Sequence, residues 1–324
     1  MNLSVVILNW NGKNDTLACL TSLENQGAPF ETIVVDNGSS DDSVTQITKR
    51  FPTVTLLETG KNLGYAGGNN VGIEHALRQG ADLILLLNND TVAGTQFIVA
   101  LLESAKNSPK AGIFGAYPLR MADPEKIDHL GGRWNSATAT FDLIGLGAAK
   151  GFKTDQMLDY VCGCCILIRR QVFETIGLLE PTFFLFWEEA DFCMRAKKAG
   201  VIIEICYEAE LLHKVSASFV GGTPHKTYFW WRGRFLWIER NCSKEEKDRL
   251  YQTILFPEMR HLLKLRLIKS FQLLLLTLIQ RKNLSQKKNK LLQYKAALEG
   301  YRDFRNASFG SGPAWLFGNQ EFES

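Results

Sequence analysis

Leu83-Ile84-Leu85-Leu86-Leu87-Asn88-Asn89-Asp90 is the stretch on which the fold turns. Five consecutive apolar residues end abruptly in two amides and an acid. A run this short and uniformly apolar fits a strand covered on both faces, because a strand with one wet face alternates. Upstream, Leu3-Ser4-Val5-Val6-Ile7-Leu8 and Glu31-Thr32-Ile33-Val34-Val35 are further strand runs. Each is followed by a polar turn, Asn9-Trp10-Asn11-Gly12 and Asp36-Asn37-Gly38-Ser39-Ser40-Asp41. Between them, residues 15–26 carry Leu17, Leu20 and Leu23 at helical spacing and close on Gly27. Residues 72–79 read as a helix as well. Strands alternating with helices give an α/β fold, a mostly parallel central sheet with helices on both faces. Ligands in such sheets bind outside the carboxyl ends of the strands. Three polar strand ends therefore gather on one rim, although Asn, Asp and Gly also favour plain turns.

Beyond residue 120 the pattern weakens. Residues 120–159, rich in Gly, Ala and Thr, read as an irregular linking segment. A strand is expected over residues 161–168, a helix over 170–176, and a helix from Glu188 to Lys198 stopped by Gly200. A last strand over 201–207 precedes Leu211-Leu212-His213. Seven cysteines, an odd number, and no visible leader point to a reducing compartment, hence the cytoplasm. Cys162, Cys164 and Cys165 lack the paired spacing of a zinc site and read as small buried thiols within the strand.

The formal net charge of +3 conceals an uneven distribution. Residues 259–298 contain no Asp or Glu but ten Lys or Arg, leaving −7 on the remainder. On a helical wheel, Leu267, Ile268, Phe271, Leu274, Leu275, Leu278 and Ile279 share one face, with Arg266, Lys269 and Arg281 opposite. A basic amphipathic helix suits an anionic membrane interface, through residues 260–290. The alternative is a helix packed on the body with its basic side in water. No nucleic-acid motif is present.

Four features carry chemistry. Asp90, at the end of an apolar strand, is a natural ligand for Mg²⁺ or Mn²⁺, or else a helix cap. His213 follows another strand and either completes that site or is structural. Glu188 and Glu189 follow Phe183-Phe184-Leu185-Phe186-Trp187, and an apolar wall suits a general base. Acids in a first helical turn also compensate the helix dipole, and Asp191 is spaced to pair with Arg195. Asn62-Leu63-Gly64-Tyr65-Ala66-Gly67-Gly68-Asn69 precedes a helix and offers backbone N–H groups to an anion. It lacks the lysine of a P-loop, and no G-x-G-x-x-G follows the first strand.

Together these stretches, with Cys162-Gly163-Cys164-Cys165-Ile166-Leu167-Ile168-Arg169-Arg170 and Glu188-Glu189-Ala190-Asp191-Phe192-Cys193-Met194-Arg195, resemble a family-2 glycosyltransferase of the GT-A fold, rhamnosyltransferase-like branch. The resemblance spans roughly the first 240 residues. It implies that Asp36 bonds the nucleotide base, that Asn9 and Asn11 line the same pocket, and that Asn89 sits by the ribose. Asn62, Gly64 and Asn69 belong to the same nucleotide-binding set. Asp90 and His213 would hold the divalent metal, and Glu189 or Glu188 would be the base. The family usually has Glu-Asp at that pair and Arg-Asn where this chain has Arg232-Gly233.

The implied function is inverting transfer of a sugar, rhamnose being one candidate, from a nucleoside-diphosphate sugar donor. Its acceptor would be a hydroxyl of a glycan or lipid-linked molecule, in cell-surface polysaccharide synthesis. The expected location is cytoplasmic, peripheral on the inner face of the plasma membrane. A non-catalytic nucleotide-sugar-binding or membrane adaptor of the same fold is the alternative. The expected organisation is a nucleotide-binding half (1–115), an acceptor and base half (116–240), a basic helical extension (241–305) and a loosely ordered tail (306–324).

Overall fold

The computed structural model describes residues 1–214, 223–278 and 285–317. Its strands are β1 (Leu3–Asn9), β2 (Glu31–Asp36), β3 (Thr55–Glu58), β4 (Leu83–Asn88), β5 (Thr91–Ala93), β6 (Ala111–Arg120), β7 (Asp123–Ile127), β8 (Gly131–Asn135), β9 (Thr140–Ile144), β10 (Tyr160–Val161), β11 (Cys165–Arg169) and β12 (Ile202–His213). Its helices are α1 (Lys13–Ser22), α2 (Ser43–Arg50), α3 (Gly64–Arg78), α4 (Phe97–Asn107), α5 (Arg170–Ile176), α6 (Glu188–Lys198), α7 (Pro224–Asn241), α8 (Lys244–Leu250), α9 (Phe256–Leu278) and α10 (Ser285–Arg305). The chain divides into two compact units. One holds Met1–Trp134, Phe141–Pro181 and Glu188–Val215; the other holds Asn135–Thr140, Thr182–Trp187 and Ser216–Ser324.

The first unit is built on a nine-stranded sheet in the order β3-β2-β1-β4-β11-β6-β12-β5, with β7 beside β6. The expected parallel character holds from β3 through β4. Beyond β4 the sheet is mixed, because β11 runs antiparallel to both β4 and β6 while β12 runs parallel to β6. The carboxyl ends of β1, β2, β4, β6 and β12 consequently share one rim. Val5, Ile7, Val34, Leu85 and Leu87 turn to one face, where Leu17, Leu20, Ile47, Phe97 and Leu101 from α1, α2 and α4 cover them. On the other face, α3 lies so close that a Cβ at Gly72 would overlap Val6 and stand 3.0 Å from Val35 Cγ2.

Residues 120–159 are not irregular. They contain β7, β8 and β9, the last two forming a second sheet of order β10-β8-β9. Their signal is weak because β7 (Asp-Pro-Glu-Lys-Ile) is exposed along most of its length and β8 opens on two glycines. The strand expected over 161–168 is broken, and Cys162 and Cys164 lie in the break between β10 and β11; only Cys165 is in a strand. The last strand is longer than its apolar run, reaching His213 through a register irregularity between Ile205 and Glu210.

The second unit is helical in its described part. Tyr228, Phe229, Phe184, Ala296 and Leu316 form its core. α10 meets α7 closely at Gly300, and Tyr228 donates its hydroxyl to Asp303 at 2.8 Å. Arg232 is buried and donates to Tyr228 Oη, Gly310 O and Phe183 O. Leu316 places part of the expected loose tail in this core; residues 318–324 lie outside the described residues. α9 leaves Leu263, Leu267, Ile268, Phe271, Leu274 and Leu275 exposed. The proposed membrane segment 260–290 includes residues 279–284, which also lie outside the described residues. No described helix is long and apolar enough to cross a membrane.

Gly72→Ala should force α3 off β1 and lower stability by roughly 1–3 kcal/mol, as overpacking does. A denaturant-unfolding midpoint measures it, and an unchanged midpoint would refute the close approach.

Candidate active site

The ends of β1 and β2 are joined by a polar network. Asn9, fully buried, donates from Nδ2 to Asp36 Oδ2 at 2.7 Å and to Ser39 Oγ at 3.1 Å. The Ser39 N–H donates to Asp36 Oδ1 at 2.9 Å. Thr16 donates its hydroxyl to Asn9 Oδ1 at 2.7 Å and accepts from Asn89 Nδ2 at 2.9 Å. Asn11, at φ 50°, accepts the Ser40 N–H on Oδ1 at 2.7 Å. Asn9, Asn11, Asp36 and Asn89 are thus brought together, with Thr16 and Ser39 as members that sequence reading missed.

A second network adjoins it. Asn37 donates to Asn62 Oδ1 and to Gly64 O, both at 3.1 Å, while Asn62 Oδ1 accepts the Gly64 N–H at 2.8 Å. Gly64 opens α3 at φ 76°, a conformation that favours glycine. Asn69 is buried in α3 and donates to Tyr65 O of its own helix, so it belongs to neither network.

β12 lies between β6 and β5, pairing His213 with Arg120 on one side and Thr91 on the other. The Lys214 N–H donates to Asp90 O at 2.9 Å, so the end of β12 meets the residue just past β4. His213 Nε2 stands 3.5 Å from Asp90 Oδ1, a buried oxygen with no hydrogen-bond partner among the described residues. Its Nδ1 is 2.8 Å from Asp128 Oδ2. Burial pulls the imidazole pKa down, but Asp128 and Asp90 push it up to about 10. A carboxylate oxygen and a ring nitrogen facing each other, with a second carboxylate behind the ring, fit a divalent cation. Asp128 escaped sequence reading because it sits in the unpatterned segment, away from any visible strand end.

Glu188 and Glu189 open α6; Glu188 is buried and Glu189 half-buried. Among the described residues Glu189 Oε2 has no hydrogen-bond partner, and a Cβ at Gly163 would stand 3.1 Å from Oε1. Burial raises its carboxyl to about 7, with Cys162 adding and the helix N–H groups and His129 opposing. Tyr65 secures the facing loop by donating its hydroxyl to Gly163 O at 2.9 Å. Asp191 is tied to Arg195 at 2.8 Å, the pair its spacing suggested.

The family model for glycosyl transferase family 2 matches residues 4–177, more than half of the chain. The chain belongs to this family. It is 28% identical over 258 residues to the low-salt glycan biosynthesis hexosyltransferase Agl10 of Haloferax volcanii, covering 78% of this chain and 80% of that protein. It is 27% identical over 279 residues to the N-acetylglucosaminyl-diphospho-decaprenol L-rhamnosyltransferase of Mycobacterium tuberculosis, covering 73% and 88%. Among solved structures it resembles S. aureus TarS 1-349, with a TM-score of 0.54 at 14% identity over 95% of this chain and 92% of that one. It also resembles the mannosyltransferase PcManGT of Pyrobaculum calidifontis in complex with GDP-Man and Mn²⁺, at TM-score 0.51 and 13% identity, covering 95% and 74%. The GT-A fold expected from the sequence is therefore the fold of this glycosyltransferase.

Glu189 has a folded pKa above its unfolded value, so its stabilising contribution is full below about pH 4.5 and lost as pH rises through about 7. Glu189→Gln should therefore raise Tm relative to wild type more at pH 8 than at pH 5. A Tm difference independent of pH would contradict a buried, near-neutral carboxyl.

Proposed function

We propose that this family-2 enzyme transfers a sugar, with inversion, from a nucleoside-diphosphate donor to a hydroxyl of a glycan or lipid-linked acceptor in cell-surface polysaccharide synthesis. The observation that carries this reading is the buried Asp90 Oδ1, ion-paired with His213 Nε2 but without a hydrogen bond among the described residues, on the rim where Asn9, Asp36 and Asn89 gather. The hexosyl- and rhamnosyltransferase relatives support it, and the mycobacterial one is named for a decaprenyl-diphosphate-linked acceptor. Rhamnose is the sugar favoured by that second relative.

In this reading Asp36 and Asn9 bond the base, Asn11 shapes the turn over it, and Asn89 bonds the ribose. Asn62 and Gly64 hold the loop whose N–H groups approach the diphosphate, and Asn69 stiffens α3 behind it. Asp90 and His213 would hold Mg²⁺ or Mn²⁺, which when bound would supply positive charge against the leaving diphosphate. The acceptor oxygen attacks the anomeric carbon, the bond to the diphosphate oxygen breaks, and Glu189 Oε2 takes the hydroxyl proton. Glu189 is the base in this reading, because its near-neutral pKa suits proton transfer at pH 7. A longer Glu at the family's usual Asp position is accommodated by Gly163, which leaves room for the extra methylene.

Asp90→Asn should lose Mn²⁺-dependent binding of a nucleotide sugar, measured calorimetrically. Glu189→Gln should retain that binding but lose roughly 10²–10⁴-fold in turnover. Normal turnover by Glu189→Gln would remove the base from this scheme.

The enzyme works, in this proposal, at an anionic membrane surface on the cytoplasmic side, through residues 260–290. Support comes from the exposed apolar stripe of α9 and from the acid-free stretch around it. Leu267 and Phe271, 64% and 62% exposed, are its most open members. Leu267→Glu with Phe271→Glu should abolish co-sedimentation with phosphatidylglycerol vesicles. Binding that survives this double substitution would exclude α9 as the membrane contact.

A further inference from the structure

Among the described residues, one further cluster of ligating atoms adjoins this site and shares Asp128 with it. Asp128 and His129 follow β7, and Cys162 lies in the break between β10 and β11. Together they bring a carboxylate oxygen, a ring nitrogen and a thiol sulfur within 4.8 Å of one another. Cys162 Sγ is 3.5 Å from His129 Nε2 and 3.4 Å from Cys164 Sγ. Ligand atoms around one tetrahedral zinc ion stand about 3–4 Å apart, given bonds of about 2.0–2.3 Å. His129 Nδ1 is buried without a hydrogen-bond partner. A buried ring nitrogen of that kind calls for an explanation, and ligation after a ring rotation is one.

The donor set also discriminates between ions. Mg²⁺ and Mn²⁺ prefer oxygen ligands, whereas thiolate with imidazole selects the zinc class. Asp90 and His213 provide no sulfur, so the two places differ in chemical preference. They share one residue, because Asp128 offers a carboxylate oxygen to the cluster and its Oδ2 stands 2.8 Å from His213 Nδ1.

We propose that Asp128, His129 and Cys162 form a second cation site, selective for a thiophilic divalent ion such as Zn²⁺ and coupled through Asp128 to Asp90 and His213. Binding displaces to solvent the proton that Cys162 and His129 share and forms metal–sulfur and metal–nitrogen bonds with no change of oxidation state. An ion on Asp128 draws the carboxylate's charge away from His213, which then becomes the poorer ligand. Zinc at this cluster thus opposes Mn²⁺ at the rim.

Cobalt(II), a spectroscopic stand-in for zinc, tests the site on the metal-stripped protein. Wild type should develop a near-ultraviolet thiolate-to-cobalt band saturating at one equivalent. Cys162→Ser and His129→Gln should each lose that band, whereas Asp90→Asn should keep it. One equivalent of Zn²⁺ should weaken Mn²⁺ binding to wild type about tenfold, read by electron paramagnetic resonance, and leave it unchanged in Cys162→Ser. No thiolate band in wild type overturns the proposal without recourse to any variant. A band that persists in Cys162→Ser, or that disappears in Asp90→Asn, overturns it equally. Mn²⁺ affinity indifferent to zinc overturns the coupling.

Discussion

The pairing of β12 between β6 and β5 is the constraint on which the rest of the site depends. β4 ends at Asn88, and β5 begins at Thr91, so Asp90 is fixed at the corner between them. β5 then runs antiparallel to β12 and opposes Thr91 to His213. Five steps along β12, from Ile205 to Glu210, face two along β6, from Gly115 to Tyr117. That odd excess of residues decides which face each later side chain takes, since side chains alternate strictly along a strand. A slip of one residue would carry the His213 imidazole away from Asp90 and Asp128.

The same corner concentrates charge where charge is costly. Asp90, Asp128, His213 and His129 lie on connected elements, and Glu189 contributes to the field on His129. Burial alone would lower both imidazoles, yet neighbouring anions raise His129 to about 9 and His213 to about 10. Buried carboxylates without positive partners would be far less tolerable. Two histidines set among acids and a thiol are thus a condition for folding this rim as well as for its chemistry. His129 opposes the rise at Glu189 only in part, which leaves burial to dominate and its carboxyl near 7.

Most of this was legible wherever local sequence and burial agree. The runs ending at Asn9, Asp36 and Asn88 are apolar over the residues just before those ends, so both the strands and their polar ends could be read directly. Asp90 and His213 were visible for the same reason. Asp128, His129 and Cys162 were not, because their relation is made by long-range pairing of weak strands. β8 pairs with β10, and β7 turns back on β6, which brings residues 33 apart in sequence into contact. No local spacing encodes that. Cysteine spacing argued against a metal since it counts only ligands close in sequence, whereas here one thiol is met by residues from a different sheet edge.

The basic arm shows the converse limit. Of the apolar face expected from helical periodicity, Leu267, Ile268, Phe271, Leu274 and Leu275 lie along α9, and the side chains of Leu278 and Ile279 lie outside the described residues; periodicity is silent on whether a face is covered. Its neighbour α10 turns its small residue, Gly300, and the acceptor Asp303 toward α7. That contact leaves Leu263, Leu267, Ile268, Phe271, Leu274 and Leu275 uncovered. One exposed leucine is ordinary, but six large apolar side chains along one helix form a patch of the kind that marks an interaction surface. The exposed lysines 287, 288 and 290 follow on α10, and no acid intervenes anywhere from 259 to 298. A protein partner for such a surface would need an acidic rim of matching length, whereas anionic lipid presents negative charge in every direction. Charge and hydrophobicity that run together along 40 residues without a counter-ion therefore favour a surface over a pocket as the thing they meet.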